Sequence, residues 1–269
     1  MATIEEWKRD KSAEIKASSY KPNNNDLDER YVNMSNRLTI ASHSLTLAEK
    51  RIVCMAVSQI DSKAVSVRQG HATVRVTAAD FAECMDIDIK TAYKQLKAAG
   101  DNLFHRQITF RVPNYVRRRN KDIQTADTVV KCRWVSEAKY QKDEGWVELT
   151  WTPTVYENLT LLKKNFTSYQ LKQATALRSI YSWRLLELLM KFKSTGVAEY
   201  DVEDFKNAME VPESMQDDFG QIRRRIIDAA IKELEAKDSW IIAYKTKKAG
   251  RRIDKIRFSF FRDPQGKLF

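Results

Sequence analysis

Two stretches of this chain lie over each other at an offset of 124 residues. ADFAECMDI, residues 79–87, matches EDFKNAMEV, residues 203–211, in its Asp, its Phe, its Met and its closing branched apolar residue. Four similar positions in nine decide little alone. The elements around them decide more, because a unit built twice must repeat its neighbours in the same order.

Ahead of the first copy, LTLAEKRIVCMAVSQI reads as a helix with Leu47, Ile52, Met55, Ala56 and Ile60 mostly on one side. TVRVT, residues 73–77, alternates as a short strand. Thr77 with Asp80 makes a capping-box-like start for the next helix. The chain breaks at Asp86 and Ile87, and Asp88 caps a helix running to about Leu103. RQITFRV, DTVVKCRWVS and WVELTW follow as strands. Helix, strand, helix, tight turn, helix and β-hairpin is the order of a winged helix.

The same order surrounds the second copy. An apolar-striped helix covers about 177–192, and VAEY is a short strand. DVEDFKNAM opens with Asp201 and Asp204, another box-like cap. A loop with Pro212 leads to a helix over about 219–236, and WIIAYKT and IDKIRFSFF close the unit around the basic tip KKAGRR. The expectation is an α+β chain, mostly helical, with two tandem winged-helix domains of pseudo-duplicated topology. Its expected limits are a flexible N-terminal arm at 1–36, polar and without a sustained apolar period, a first domain at 37–152 and a second at 153–269. The second includes a connecting segment at about 153–166.

The length suits one large domain or two small ones. Of 269 residues 43% are hydrophobic, enough for packed cores, and seven glycines with five prolines argue against disorder and against a turn-rich all-β fold. The net charge is +11 and unevenly spread. Residues 221–269 hold 14 basic and six acidic side chains, and residues 103–121 hold six basic and none acidic. Clustered positive charge points to a polyanion. A membrane surface would attract it too, but no long basic amphipathic segment stands free of the folded pattern.

The polar opening IEEWKRDKSAEIK is expected to carry no signal peptide, and no apolar run reaches the roughly 18–20 residues that span a bilayer. Cys54, Cys84 and Cys132 are odd in number and widely spaced, so they form neither a disulfide framework nor a zinc site. A cytoplasmic protein is expected. His43, His71 and His105 are isolated, so the paired-histidine metal site of a DNA-nicking enzyme is missing. Asp143, Glu144 and Glu148 have only generic spacing for a nuclease centre. No GxxxxGK[ST] loop offers a seat for ATP. No catalytic residue, metal or cofactor is therefore expected.

Charge concentrates on two helices and their hairpins. On a helical wheel, Ile222, Ile226, Ile227, Ala230, Ile231 and Leu234 fill one half. Gln221, Arg225, Asp228 and Lys232 project from the other, Arg224 sits at the boundary, and Arg223 points toward the apolar side. Arginines there suit bidentate contact with guanine edges or phosphates, and the helix start adds backbone donors. An exposed arginine run that merely solvates a surface explains the same pattern about as well. The adjoining tip changes the weighting, because Lys245, Lys247, Lys248, Arg251 and Arg252 crowd a hairpin that can reach a phosphate or the minor groove. In the first unit Ile89, Ala92, Tyr93, Leu96 and Leu103 share one face, while Lys90, Lys94 and Lys97 share another beside Thr91. Those lysines read equally as phosphate contacts or as a solvated face. Arg117, Arg118 and Arg119 lie in the run YVRRRNK, a basic loop that either meets DNA or is merely soluble.

From about 44 to 261 the chain resembles the replication initiator (Rep) proteins of iteron-containing bacterial plasmids. The resemblance rests on LTLAEKRIVCMAVSQIDSK, AYKQLKAAGDNLF, DEGWVELTWT, FTSYQLKQATALRSIYSWRLLELL, IRRRIIDAAIKELE and KKAGRRIDKIRFSF, in that order. It implies two winged-helix domains gripping opposite ends of one directly repeated origin site, the iteron. It also implies monomers active at iterons, dimers that repress the initiator's own gene, and partners among the host initiator, helicase and chaperones. By the same resemblance, base reading falls on the helix of Arg223, Arg224 and Arg225. The helix of Lys90, Thr91 and Lys94 takes the other end. A transcriptional repressor with two winged helices and no role in replication would carry the same residues.

Overall fold

A computed structural model describes residues 29–62, 73–118, 121–141, 144–160, 162, 164–250 and 252–262, with backbone alone at 113–118 and 121–126. The first elements are β1 (Tyr31–Ser35), α1 (Asn36–Ile40) and α2 (Leu47–Val57). The first unit continues with β2 (Thr73–Thr77), α3 (Ala78–Met85) and α4 (Ile89–Leu103). A two-stranded ribbon, β3 (Gln107–Arg118) with β4 (Lys121–Arg133), precedes β5 (Val135–Tyr140) and β6 (Trp146–Trp151). The antiparallel order β2-β6-β5 forms the first winged-helix sheet.

After α5 (Pro153–Glu157), β7 (Phe166–Gln170) and α6 (Lys172–Thr175), the second unit repeats the plan. It comprises α7 (Ile180–Met190), β8 (Val197–Asp201), α8 (Val202–Met209), a helical rod over 219–238, β9 (Trp240–Ala249) and β10 (Arg252–Arg262). Its sheet order is β8-β10-β9. The expected tandem winged helices are present, with helix and strand mixed throughout.

The repeat holds at the level of single residues. β2 and β8 stand 124 positions apart, as do α3 and α8. Phe81 and Phe205 are both buried in the core. Both helices end on a left-handed, non-glycine residue, Asp86 at φ 50° and Glu210 at φ 51°. The next amide in each case returns to the last turn, Ile87 to the Ala82 carbonyl and Val211 to the Lys206 carbonyl. The same cap at the same offset extends the repeat from the sequence to the backbone.

Strand alternation places the sheets. In β6 the buried residues are Val147, Leu149 and Trp151, and in β10 they are Ile256, Phe258 and Phe260, so one face of each sheet covers helices. Gly100 lets α4 approach β6 closely, since a Cβ there would meet Val147 at 3.2 Å.

Several local expectations change. Residues 31–35, placed in the arm, form a strand that pairs antiparallel with β7, and Val32 and Met34 are buried. α2 is not one-sided: residues 52–57 are all buried, and so are Glu49 and Lys50. Their charges are met inside. Arg106 clamps Glu49 at 2.9 and 3.0 Å, and Lys50 sits 2.8 Å from Glu187. Thr46 and Glu49 form the capping box of this helix. Thr77 caps α3 through the Asp80 amide at 3.1 Å, as expected, but Asp201 makes no side-chain cap on α8. Its carboxylate pairs with Lys255 at 3.2 Å instead.

Candidate nucleic-acid interface

In the second unit, Asp218 starts the rod by accepting from the Gln221 amide at 3.0 Å. Hydrogen bonds from Gln221 hold its carboxyl below the ordinary carboxylate range. Residues Phe219–Ile222 are α-helical, Arg223–Ile227 form a π turn, and Asp228–Asp238 are α-helical again. Ile222, Ile226, Ile227, Ala230, Ile231 and Leu234 are buried, the stripe expected from the wheel.

The π turn corrects the expectation for Arg223. A π turn holds one more residue than an α turn, so it rotates the preceding side chains relative to a regular wheel. Arg223 does not point at the core. Its side chain is 60% exposed, 3.6 Å from Asp228, and Arg224 and Arg225 are exposed beside it. Lys232 is exposed about two turns further on. Three consecutive arginines thus reach solvent while the isoleucines stay buried.

Asp228 ties this helix to the wing, accepting from the Tyr244 hydroxyl at 2.8 Å. Burial, then this bond, pushes Tyr244 up to about 12. Tyr244 shares the inner pleat face with Ile242, paired opposite Phe258 and Phe260. From Lys245 onward every described residue of β9 is exposed, so the hairpin stands clear of the core. Gly250 supplies φ 63° at its tip.

On the outer face Lys245 stands opposite Arg257 and Lys247 opposite Lys255. Carboxylates on β8 meet the β10 cations: Lys255 lies 3.2 Å from Asp201, and Arg257 lies 3.9 Å from Glu199. Among the described residues, neither Lys245 nor Lys247 is in an ion pair. Lys248 falls on the opposite pleat face from Lys247, toward the side of Thr246 and Tyr244, and Arg252 is exposed. Arg251 lies outside the described residues.

In the first unit Asp88 caps α4 through the Thr91 amide at 2.9 Å. Hydrogen bonds from Thr91, side chain first and then backbone, hold the Asp88 carboxyl low, so this threonine is engaged in the cap. Lys90, Lys94 and Lys97 are exposed, and Ala92, Leu96 and Leu103 are buried. Ile89 departs from the expected core face: it is 53% exposed, because it occupies the first helical position, beyond the part of α4 that packs inward.

Within the run YVRRRNK, residues 115–118 and 121 lie in strands rather than in a loop. Arg117 and Arg118 belong to β3, paired with Asp122 and Lys121 near the end of the ribbon, and Arg119 lies outside the described residues. Of the three acids weighed for a nuclease centre, Glu148 is held by Arg75 at 3.1 Å, Glu144 lies at the β5–β6 turn, and Asp143 falls outside the described residues. Of the histidines, His43 is buried and His105 exposed, while His71 lies outside the described residues. Among the described residues no helix is long and apolar enough to cross a membrane.

The two units therefore present one arrangement twice: a capped helix with outward cations beside a hairpin. They differ in the helix starts. Three residues separate α3 from α4, whereas residues 210–218, with a 3₁₀ turn at Glu213–Met215, precede the rod.

Comparison with known proteins also finds two winged-helix units, the first match running through α7. Residues 31–190 match the family described as Initiator Replication protein, WH1, and residues 201–260 match Initiator Rep protein, WH2. The PI protein of Escherichia coli is 28% identical over 255 residues, covering 85% of this chain and 81% of that protein. A replication initiation protein of Escherichia coli is 24% identical over 248 residues, covering 89% and 72%. A crystal structure of the Pi initiator protein in complex with iteron DNA superposes with a TM-score of 0.69 at 24% identity, covering 88% of this chain and 99% of that one.

Proposed function

The chain belongs to the replication initiator (Rep) protein family, and from that premise we propose that it binds directly repeated origin sites, iterons, in duplex plasmid DNA. As a monomer it grips one iteron with both winged helices, helps open the origin and draws in the host initiator, helicase and chaperones. As a dimer it represses its own gene. It acts in the bacterial cytoplasm by binding rather than by catalysis.

The observation that carries this reading is the repeated pairing of a helix bearing outward cations with a hairpin. The rod offers Arg223, Arg224, Arg225 and Lys232, backed by Lys245, Lys247, Lys248, Arg251 and Arg252 at the second wing. α4 offers Lys90, Thr91, Lys94 and Lys97. Arg117, Arg118 and Arg119 add charge near the end of the ribbon. Arginine on the rod suits base edges, and lysine on the wing suits phosphates. The chain divides near residue 152 in this reading, with 153–166 as the connection.

The test is selection of random duplexes by the purified protein, repeated at higher salt. One asymmetric site of about two helical turns is the expected result, because two recognition helices on one chain must reach successive major grooves. An inverted repeat would instead favour the dimeric repressor. Binding with no enriched site, vanishing as salt rises, would reduce the +11 charge to a non-specific grip.

A further inference from the structure

Ile89 stands in the first turn of α4, exposed between Asp88 and Lys90, while Ala92 and Leu96 of the same helix are buried. Beside it runs an open groove of about 580 Å³ between the start of α4 and the β5–β6 turn. Ala78, Ala79 and Tyr93 give it apolar walls, Lys90 and Lys94 line it on the α4 side, and Glu144 and Gly145 line it at the β5–β6 turn. An apolar point with two lysines on one side and one carboxylate across the groove is ill suited to bulk water. It suits a polyanion that itself carries an apolar group.

Duplex DNA has one such group on its major-groove edge, the thymine C5-methyl. Lys90 adjoins Ile89 in sequence, and Lys94 follows one turn later on the same exposed side. On the reading above, in which α4 enters the major groove, we propose that Ile89 packs against a thymine methyl and so fixes thymine at one position of the part of the site held by the first unit. Lysines cannot supply that choice, since a phosphate contact carries no sequence information. Ile89 is then a specificity-determining residue, with Lys90 and Lys94 as its phosphate anchors.

Deoxyuridine pairs as thymine does and lacks only the methyl group. The full chain is therefore titrated with its selected site and with versions in which each thymine is replaced in turn by deoxyuridine. The same series is run with Ile89→Ala. For the unaltered protein one replacement is expected to weaken binding roughly fourfold, about what burial of a single methylene is worth. Ile89→Ala should weaken binding to the thymine site by a similar factor and be indifferent to that same replacement. Thermal unfolding should be unchanged, because the side chain is largely exposed.

Specific binding that no deoxyuridine alters would overturn the proposal while leaving the DNA reading intact. So would a deoxyuridine penalty that persists undiminished in Ile89→Ala. Absence of any selected site would strike the DNA reading itself, and this proposal with it.

Discussion

Arg184 Nη1 donates to His43 Nδ1 at 2.9 Å, and His43 Nε2 in turn meets the Leu38 carbonyl at 2.8 Å. The neutral ring with its proton on Nε2 satisfies both partners at once. The other guanidinium donors reach the Ala41 and Ala208 carbonyls. Arg184 on α7 therefore binds the segment ahead of α2 to the end of α8. Glu210 closes the same junction, accepting from the Ser42 hydroxyl at 2.7 Å, the Ser44 amide at 2.6 Å and the His43 amide. The cap that makes Glu210 the counterpart of Asp86 also aims its carboxylate at the first unit.

Stability should fall as pH drops below about 6.5. Burial, then the positive charges of Arg184 and Lys50, lowers the His43 pKa well below its ordinary 6.5. Above that value the ring is neutral folded or unfolded, so it contributes no pH dependence. Below it the unfolded chain takes up a proton that the folded chain refuses, which favours unfolding by at most about 1.4 kcal/mol per pH unit. Urea midpoints at pH 7.5 and 5.5 should separate more for the unaltered protein than for His43→Gln. Equal separations would place the titration elsewhere.

Lys50→Met should cost roughly 3–5 kcal/mol of stability, because it strands a carboxylate in the core. Lys50 and Glu187 are each 1% exposed and 2.8 Å apart, and the Tyr169 hydroxyl donates to Glu187 at 2.8 Å. Removing both charges, as Lys50→Met with Glu187→Leu, should recover most of the loss. Denaturant unfolding of the two singles and the double makes the comparison. A double variant as unstable as the sum of its singles would mean that the charges are not coupled.

The duplication was readable in the sequence because helix ends are local. The nine-residue stretches at 79–87 and 203–211 contain Phe81, Phe205 and both left-handed caps, so local chemistry and fold agree there. The isoleucine stripe of the rod was readable for the same reason. Arg223 was not, since nothing in RRRII announces a π turn to a wheel of fixed pitch. Burial of Lys50 was hidden too: its partner Glu187 lies far along the chain, and alone a lysine in a helix reads as surface. β1 reads as arm from sequence because its pairing partner, β7, is distant along the chain. Periodicity puts Ile89 on the core face because it carries no information about where a helix stops packing.

Arg225→Ala should cost about 1–3 kcal/mol in binding to the selected site and relax the preference at one base position. Arg225 is exposed on the rod one position before buried Ile226, so its removal leaves the core face untouched. Competition binding against single-base variants of the site measures both effects. An unchanged affinity would remove the rod from the recognition surface.

Lys248→Ala should act differently. Lys248 stands on the exposed wing beyond Tyr244, on a hairpin whose tip turns at Gly250. A lysine there presents a mobile point charge with no fixed fork to match a base edge. Its loss should therefore weaken binding to all sequences alike, leaving the order of preferred sites unchanged. Each phosphate contact releases close to one counterion, so the slope of log affinity against log salt should become shallower by about one unit. Titrations at several salt concentrations on the selected site and on an unrelated duplex separate the two roles. A change in base preference would make Lys248 a base reader, and an unchanged slope would hold the wing away from the phosphates.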